Sequence, residues 1–246
     1  MNSQVFQEDG YQVVKGFLSS ERVARLRAVS ESALQPLLAP VEYEADTGYP
    51  GAPLNRQAAG GLTSRRLLAA YARDPLFRSL ATDSRLAALL HELLNEAPLL
   101  SQAHHNCVMT KHPGFSSQTL WHQDIRYWAF SRPELISAWF ALTPEHRRNG
   151  ALMLIPGSHR LDIAPAQLDD KLFLRPELAD NAALIASAQA VELAPGDLLL
   201  FHCRLFHAAG TNETSDLKLS TVFTYHGASN APLPDTRSAL YPSVAL

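Results

Sequence analysis

The sequence has little of several features that define particular classes of protein. It contains only two cysteines, Cys107 and Cys203, among 246 residues, which is too few for a disulfide framework and suits a reducing compartment. No apolar run approaches the roughly 20 residues that a membrane-spanning helix needs, and the first residues lack the basic and apolar regions of a signal peptide. We therefore expect a cytoplasmic protein that makes no use of a membrane.

Positive charge is not in excess either. The chain has 21 basic and 24 acidic residues, for a formal net charge of −3, so no basic surplus exists to neutralise a nucleic-acid backbone. Hydrophobic residues make up 46% and charged residues 18% of the chain, which is typical of a globular protein with a substantial core. Disorder as the main state is excluded, and nucleic acid is not expected as a partner.

Helical periodicity is confined to the first third of the chain. Ser19 or Ser20 is placed to cap a first helix, and a second helical stretch is expected over about residues 64–81. A third helix is expected to begin after Asp83 or Ser84, because leucines then recur at positions i, i+3, i+4 and i+7.

From about residue 98 the pattern changes to short strand-like runs separated by turn residues. Helices followed by many short strands predict a β-sandwich or barrel that is buttressed by N-terminal helices. Residues 40–61 lack periodicity and are expected to form a long loop, and residues 161–187 interrupt the strands as a partly helical insertion. Both segments are expected to border the mouth of the barrel. The predicted strands cover residues 105–110, 135–142, 151–155, 190–193, 197–202 and 218–225.

The segment His122-Gln123-Asp124 carries the first candidate metal ligands. In a strand, residues i and i+2 project from the same face, so His122 and Asp124 would point together. One imidazole and one carboxylate are two of the three ligands of a facial triad for Fe(II). His207 is the candidate for the third ligand, and His202, on the same closing strand, is its rival.

A lysine follows a short distance beyond His207 in the sequence. Lys218 opens an alternating run in which Ser220 shares its orientation. Taken alone, such a lysine is more often a solvated residue at a strand edge. A cation that faces into a barrel beside a metal, however, can bind the distal carboxylate of an oxoacid, and Ser220 can add a hydrogen bond. The run therefore predicts a site for the far end of an oxoacid cosubstrate.

Longer motifs surround these residues. Asn149-Gly150-Ala151-Leu152 is followed by Pro156-Gly157-Ser158-His159, and this pair of segments is the most specific feature of the chain. Taken together, the motifs resemble the phytanoyl-CoA dioxygenase family of Fe(II)- and 2-oxoglutarate-dependent oxygenases over most of the chain. The other matching segments are Phe6-Gln7-Glu8-Asp9-Gly10-Tyr11, Lys111-His112-Pro113-Gly114, Trp121-His122-Gln123-Asp124, and Pro195-Gly196-Asp197 with the downstream His207 and Asn212.

The resemblance implies a mainly β fold with flanking α-helices, namely a double-stranded β-helix, or jelly roll, of the cupin type. One domain is expected over residues 1–246. Within it, residues 1–97 are expected to form mainly helical support, residues 98–229 the jelly-roll core, and residues 230–246 a C-terminal tail.

The resemblance also implies roles for individual residues. By position, Gln123 matches a residue that contacts 2-oxoglutarate, and Trp139 matches an aromatic residue that lines the cosubstrate pocket. Lys218 stands where the family normally has an arginine, whose guanidinium grips a carboxylate in a bidentate way that an ammonium does not. The implied iron ligands are His122, Asp124 and His207.

Residues near the expected ligands are candidates for binding cosubstrate or substrate. His104, or its neighbour His105, opens a strand near the expected cavity and is the further candidate for contacting the cosubstrate. Just past the expected ligands, three aromatic residues are candidates either for the wall of the substrate pocket or for ordinary core packing. They are Tyr127, Trp128 and Phe130.

The sequence thus predicts a non-haem iron dioxygenase that uses Fe(II), 2-oxoglutarate and O2 to hydroxylate a small organic molecule, with release of succinate and CO2. Two alternatives stay open. One is a metal-dependent isomerase or hydrolase of the cupin type that does not use 2-oxoglutarate, and the other is a non-catalytic binding protein derived from the fold. A halogenase is disfavoured, because halogenases replace the metal carboxylate that Asp124 supplies here.

Overall fold

Two antiparallel sheets pack face to face, and helices cover the outer face of the larger sheet. The computed structural model describes residues 3–246. The strands are β1 (Tyr11–Val14), β2 (Val41–Tyr43), β3 (Ser64–Leu68), β4 (Pro98–Ser101), β5 (Cys107–Lys111), β6 (Thr119–His122), β7 (Leu135–Ala141), β8 (Leu152–Leu154), β9 (Gln189–Ala190), β10 (Leu198–His202), β11 (His207–Ala209), β12 (Lys218–Gly227) and β13 (Val244–Ala245).

The helices lie mostly before β4. The α-helices are α1 (Ser3–Asp9), α2 (Ser20–Ser32), α3 (Ala70–Arg73), α4 (Pro75–Ala81), α5 (Ser84–Leu94) and α6 (Ala179–Ala186). Short 3-10 helices cover Glu44–Asp46, Asp124–Tyr127, Arg147–Asn149, Ser158–Arg160, Pro165–Gln167 and Arg237–Ala239.

The larger sheet has the strand order β1-β10-β7-β12-β5-β3-β2, with β4 also paired to β12 and β13 paired to β4. The smaller sheet has the order β6-β11-β8-β9. Strand β12 lies at the centre of the larger sheet and divides its side chains between two cores. Leu219 and Phe223 are buried against the helices, whereas Val222 packs between the sheets. Because successive residues of a strand point to opposite faces, Lys218 and Ser220 share the inner face with Val222.

Helices α2 and α5 begin where the sequence predicts. Ser19 accepts a hydrogen bond from the backbone N–H of Arg22 at the start of α2, and Asp83 accepts one from Arg85 at the start of α5. Such caps satisfy N–H groups that have no partner within the helix. Leu90, on the periodic face of α5, is fully buried. Both predicted helices are confirmed.

The prediction of one helix over residues 64–81 is wrong in its first part. Ser64–Leu68 is strand β3, which pairs with β2 on one side and β5 on the other. The sheet offers this segment hydrogen-bond partners on both sides, which local periodicity cannot report. Asp74 then separates two short helices, because its extended backbone caps α4 and Pro75 occupies the first position of that helix.

The expected division of the chain also needs correction at its ends. Residues 1–97 supply more than helical support, because β1, β2 and β3 belong to the larger sheet. Residues 230–246 are not only an extended tail, since Val244–Ala245 pairs with β4. Residues 161–187 contain α6, as expected for a partly helical insertion. Within residues 3–246, no helix is long and apolar enough to cross a membrane.

Candidate metal centre

Two histidines meet where β6 and β11 pair. His122 ends β6 and His207 begins β11, and their Cα positions are partners in the antiparallel register. The two ring centroids are 4.3 Å apart. In each ring Nδ1 lies within hydrogen-bond distance of a carbonyl oxygen two residues earlier, at 2.8 Å for Leu120 and 3.0 Å for Leu205. Because a carbonyl only accepts, each Nδ1 carries a proton, and in the neutral imidazole Nε2 is then the nitrogen that can bind a metal.

Asp124 completes the group, although not in the way that the strand argument predicted. Strand β6 ends at His122, and Asp124 opens a 3-10 helix instead of continuing the strand. Gln123 between them still has an extended backbone, with φ −106° and ψ 136°. One extended residue is enough to keep the flanking side chains on the same side. Asp124 Oδ1 therefore lies 3.5 Å from His122 Nε2 and 3.4 Å from His207 Nε2.

Burial and charge set the protonation of this group. Burial opposes ionisation of Asp124, but the charges of His105 and His207 outweigh it and hold the pKa of the carboxyl well below its usual range. Burial lowers the pKa of His122 to about 4, with a contribution from His207. Burial also opposes protonation of His207, but the Asp124 charge outweighs it and raises the pKa of that imidazole. The carboxylate is therefore ionised and His122 is neutral near pH 7, as metal ligands must be.

The donor set fits a divalent iron ion. The ligand atoms of His122, Asp124 and His207 all lie within 4.8 Å of one another, and all three residues are buried. Among residues 3–246, Asp124 Oδ1 is a buried oxygen without a hydrogen-bond partner, although an unpaired buried carboxylate oxygen is costly. A metal bound by these atoms removes that cost. Two imidazoles and one carboxylate on one face are the ligands of non-haem Fe(II) oxygenases.

One cavity contains the triad, and a second, larger one lies next to it. The inner one, of about 50 Å3, is lined by the three candidate ligands and by Trp139 and Lys218. The outer one, of about 600 Å3, is lined by residues that include Tyr127 and His104. Arg65, Arg66 and His105 line both cavities and so form the wall between them.

A second buried polar cluster adjoins two residues that line the inner cavity, Trp139 and Lys218. Glu145, only 2% exposed, lies directly beside three of the residues that the sequence singled out. Its Oε1 accepts hydrogen bonds from Ser220 Oγ at 2.6 Å and from Trp139 Nε1 at 2.7 Å. Its Oε2 accepts one from Lys218 Nζ at 3.0 Å. Lys218 thus faces into the barrel as predicted, but with a carboxylate of the protein already beside it.

The other predicted site residues lie at varying distances from the triad. Gln123 lines neither cavity. Its side-chain amide instead donates a hydrogen bond to the backbone carbonyl of Arg204. Trp128 and Phe130 pack together in a buried cluster with Leu135 and Cys203 instead of lining a cavity. Their roles in binding remain predictions.

The histidines show where sequence reasoning was incomplete. His105, not His104, reaches the triad, with its Nδ1 3.3 Å from Asp124 Oδ2. His104 lines only the outer cavity. His202 stands apart from the triad, because its Nδ1 accepts a hydrogen bond from the backbone N–H of Arg204.

Sequence reasoning missed Glu145 and Lys111 as parts of the site. Glu145 follows β7 and forms an isolated β-bridge with Leu193, and no motif or periodicity marks it. Lys111 ends β5 directly opposite Lys218 on β12 and therefore points the same way, but this register is visible only in the folded sheet.

Comparison with known proteins places this site in a family. The sequence model of the family described as phytanoyl-CoA dioxygenase (PhyH) matches residues 6–220, which is most of the 246 residues. The chain therefore belongs to the phytanoyl-CoA dioxygenase family.

Individual relatives match most of this chain, and the solved structures among them share its fold. Ectoine dioxygenase of Sphingopyxis alaskensis is 27% identical over 242 residues, which cover 92% of this chain and 74% of that protein. The crystal structure of EctD from S. alaskensis with 2-oxoglutarate and 5-hydroxyectoine has a TM-score of 0.77 at 25% identity, covering 94% of this chain and 77% of that one. The crystal structure of the non-haem alpha-ketoglutarate-dependent epimerase SnoN from nogalamycin biosynthesis has a TM-score of 0.75 at 27% identity. The match covers 94% of this chain and 84% of that one.

These findings confirm two predictions made from the sequence. The fold is the expected mainly β jelly roll with flanking helices. The chain is a non-haem iron dioxygenase that uses 2-oxoglutarate and O2, as the family membership, these relatives and the His-Asp-His group together indicate.

Proposed function

We propose that this protein hydroxylates a small organic molecule, with His122, Asp124 and His207 as the iron ligands. The observation that carries the proposal is the convergence of the Nε2 atoms of His122 and His207 and one unpaired carboxylate oxygen of Asp124 on a cavity. When bound, Fe(II) and 2-oxoglutarate supply the activation of O2, with oxidative decarboxylation to succinate and CO2.

The protein's own residues hold and shield this centre. The carbonyls of Leu120 and Leu205 orient the imidazoles, because each accepts the Nδ1 proton and turns Nε2 inward. Ser137 Oγ donates a hydrogen bond of 3.3 Å to Asp124 Oδ2, which leaves Oδ1 as the ligand atom. Buried apolar side chains that line the inner cavity, such as Leu152 and Phe201, exclude water from it.

The outer cavity is the proposed substrate chamber. Its volume of about 600 Å3 lies within the range of ~300–1,000 Å3 that is typical of small-molecule sites. His105 lines both cavities and lies 3.3 Å from Asp124 Oδ2, so a molecule in the outer cavity would be one side chain away from the triad. The ectoine dioxygenases among the relatives, whose names specify a small molecule as substrate, support this reading.

Coupled assays test the proposal. The purified chain with Fe(II), 2-oxoglutarate and a panel of small molecules should consume O2, form succinate, and yield a product that has gained one oxygen atom. Conversion without O2 uptake or succinate would instead favour a cupin-type isomerase or hydrolase. Ligand binding without any turnover would favour a binding protein, and either result would overturn the proposal.

Residues 40–61 and 161–187 are proposed to act as lids over the metal centre. The Phe173 ring lies 5.8 Å from the His122 ring and 5.7 Å from the Tyr49 ring, so the two segments meet beside the metal ligand. We expect both segments to exchange amide hydrogen more slowly when saturating cosubstrate excludes water from the site. Hydrogen exchange with and without ligand measures this, with buried Leu90 on α5 as the unchanged control. Unchanged exchange in both segments would contradict the lid role.

A cytoplasmic location is also proposed. Cys107 and Cys203 are both free and buried, and burial raises the pKa of each thiol to about 12. Both cysteines are therefore structural thiols without a disulfide, which suits a reducing compartment.

A further inference from the structure

The last part of the chain forms one wall of the outer cavity. Arg237, Leu240 and Tyr241 line it, whereas the sequence model of the family matches only residues 6–220. The wall therefore belongs to a part of this chain that the family model does not describe. Leu240 and Tyr241 are 68% and 57% exposed, which places them at the rim of the cavity. Arg237 lies in the same 3-10 turn as Leu240, because its carbonyl oxygen accepts a hydrogen bond from the backbone N–H of Leu240.

Hydrogen bonds hold this wall against the barrel. The backbone N–H of Ala129 donates to Ser238 Oγ at 2.9 Å, and Gln102 Nε2 donates to the carbonyl oxygen of Pro242 at 2.9 Å. Beyond them, β13 pairs with β4. The backbone at Arg237 is therefore fixed beside the cavity.

The carboxylates that line the outer cavity already have partners. Among residues 3–246 these are Glu42 and Asp46. Glu42 Oε2 forms an ion pair of 3.2 Å with Arg66 Nε, and Asp46 accepts hydrogen bonds of 2.8 and 2.9 Å from Arg56. A cationic group of a ligand would therefore have to compete with an arginine of the protein for either carboxylate.

The positive charges of this cavity are not all balanced in the same way. Arg65 pairs with Glu44 at 3.2 Å, and Arg66 has the partner named above. Arg237, by contrast, forms no ion pair with any residue of the described range 3–246, and its guanidinium donates no hydrogen bond there. Burial, together with the charge of Arg237, lowers the pKa of His104 to about 3, so this imidazole is neutral near pH 7. The walls of a cleft focus the field of a charge that lines it, and the field of Arg237 favours an anion.

The two ends of the outer cavity differ in what they offer a ligand. His105 marks the inner end, because its Nδ1 lies 3.3 Å from Asp124 Oδ2. The Tyr127 ring, which also lines this cavity, lies 5.9 Å from the His122 ring. Arg237 lies at the other end, beside the exposed rim. A molecule that spans the cavity therefore has one end near the metal ligands and the other near a guanidinium.

We infer that the substrate carries an anionic group, a carboxylate or a phosphate, which Arg237 binds at the rim of the outer cavity. The carbon to be hydroxylated then lies at the inner end, beside His105. A planar guanidinium suits this task, because it can donate to two oxygens of such a group at once. The inference rests on the proposed function, since it takes the outer cavity as the substrate chamber. Arg237 is then a residue that determines substrate specificity without contacting the metal ligands.

Calorimetry on the full chain, loaded anaerobically with Mn(II) and 2-oxoglutarate, tests this inference without turnover. The probes are phenylacetate, phenylbutyrate and phenylhexanoate, each beside its neutral amide, and phenyl phosphate. At least one anionic probe should bind ~10-fold or more tightly than the amides, which is the scale of a hydrogen bond to a charged group. Arg237→Gln should remove this preference and leave the binding of the amides within ~3-fold, because an amide offers no charge to the guanidinium. Whether the carboxylates or phenyl phosphate lose more affinity in Arg237→Gln identifies the anion.

Arg25→Gln is the matched control. Arg25 is exposed on α2 and lines neither cavity, so this variant removes the same charge at a distance from the site and should keep the preference for the anion. No binding of any anionic probe, equal binding of anions and amides, or a preference that survives in Arg237→Gln would each overturn the inference. An intact preference in a protein that forms no succinate and consumes no O2 in the coupled assay would instead refute the proposed function, so the two failures are distinguishable.

Discussion

Replacing His122, Asp124 or His207 with alanine will abolish iron binding and turnover. The expected loss of Fe(II) affinity exceeds ~100-fold, because even outer partners of metal ligands cost 10–100-fold when they are removed. Each of the three residues contributes one of the ligand atoms that lie within 4.8 Å of one another. Metal analysis of each variant after anaerobic reconstitution with Fe(II), together with succinate formation, measures both effects.

His202→Ala is the matched control for these variants. His202 is a histidine near the same end of the barrel, but its Nδ1 is bonded to the backbone N–H of Arg204 and its ring packs 5.3 Å from that of His159. Iron content should therefore be unchanged in His202→Ala. Full iron content and activity in any of the three ligand variants would refute the assignment of that residue.

Glu145→Ala will destabilise the folded protein by about 3–5 kcal/mol, the range found when one partner of a buried ion pair is removed. Lys218 and Glu145 are 3% and 2% exposed, so water cannot replace the lost carboxylate. The change would also leave Ser220 Oγ and Trp139 Nε1 without their acceptor. Urea unfolding should show a lower midpoint with an unchanged slope.

A double variant separates the lost charge from the lost packing. Glu145→Gln/Lys218→Met leaves no unpaired ion, and Gln keeps an oxygen that can accept from Ser220 and Trp139. We expect it to be more stable than Glu145→Ala, since a buried pair can often be replaced as a whole at little cost. If Glu145→Ala lowers the free energy of unfolding by less than about 1 kcal/mol, Lys218 must find another partner or reach water, and the prediction is wrong.

Much of the fold and part of the site could be predicted from local pattern. The leucine spacing of α5 and the alternation of β12 are properties of neighbouring residues, and the structure reproduces both. The side chains of His122 and Asp124 point the same way, as predicted, although the two residues do not share one strand. The single extended residue between them, Gln123, is enough to produce this orientation.

Other features depended on partners that are distant in the sequence. The sequence pattern predicts residues 64–68 as part of a helix. They form strand β3 instead, because β2 and β5 provide hydrogen-bond partners on both sides. Which of His104 and His105 approaches the metal ligands also depends on the fold. Only the folded chain brings His105 Nδ1 to 3.3 Å from Asp124 Oδ2.

The sequence by itself determined which enzyme class was expected, because the ligand types are those of a facial triad for Fe(II) and the motifs around them resemble a known family. Only the tertiary structure decided how the charges in the barrel are balanced. Glu145 neutralises Lys218 from 73 residues away in the sequence, and Lys111 is left with backbone carbonyls. Ion pairing of this kind depends on distance and burial after folding, and no periodicity in the chain encodes it.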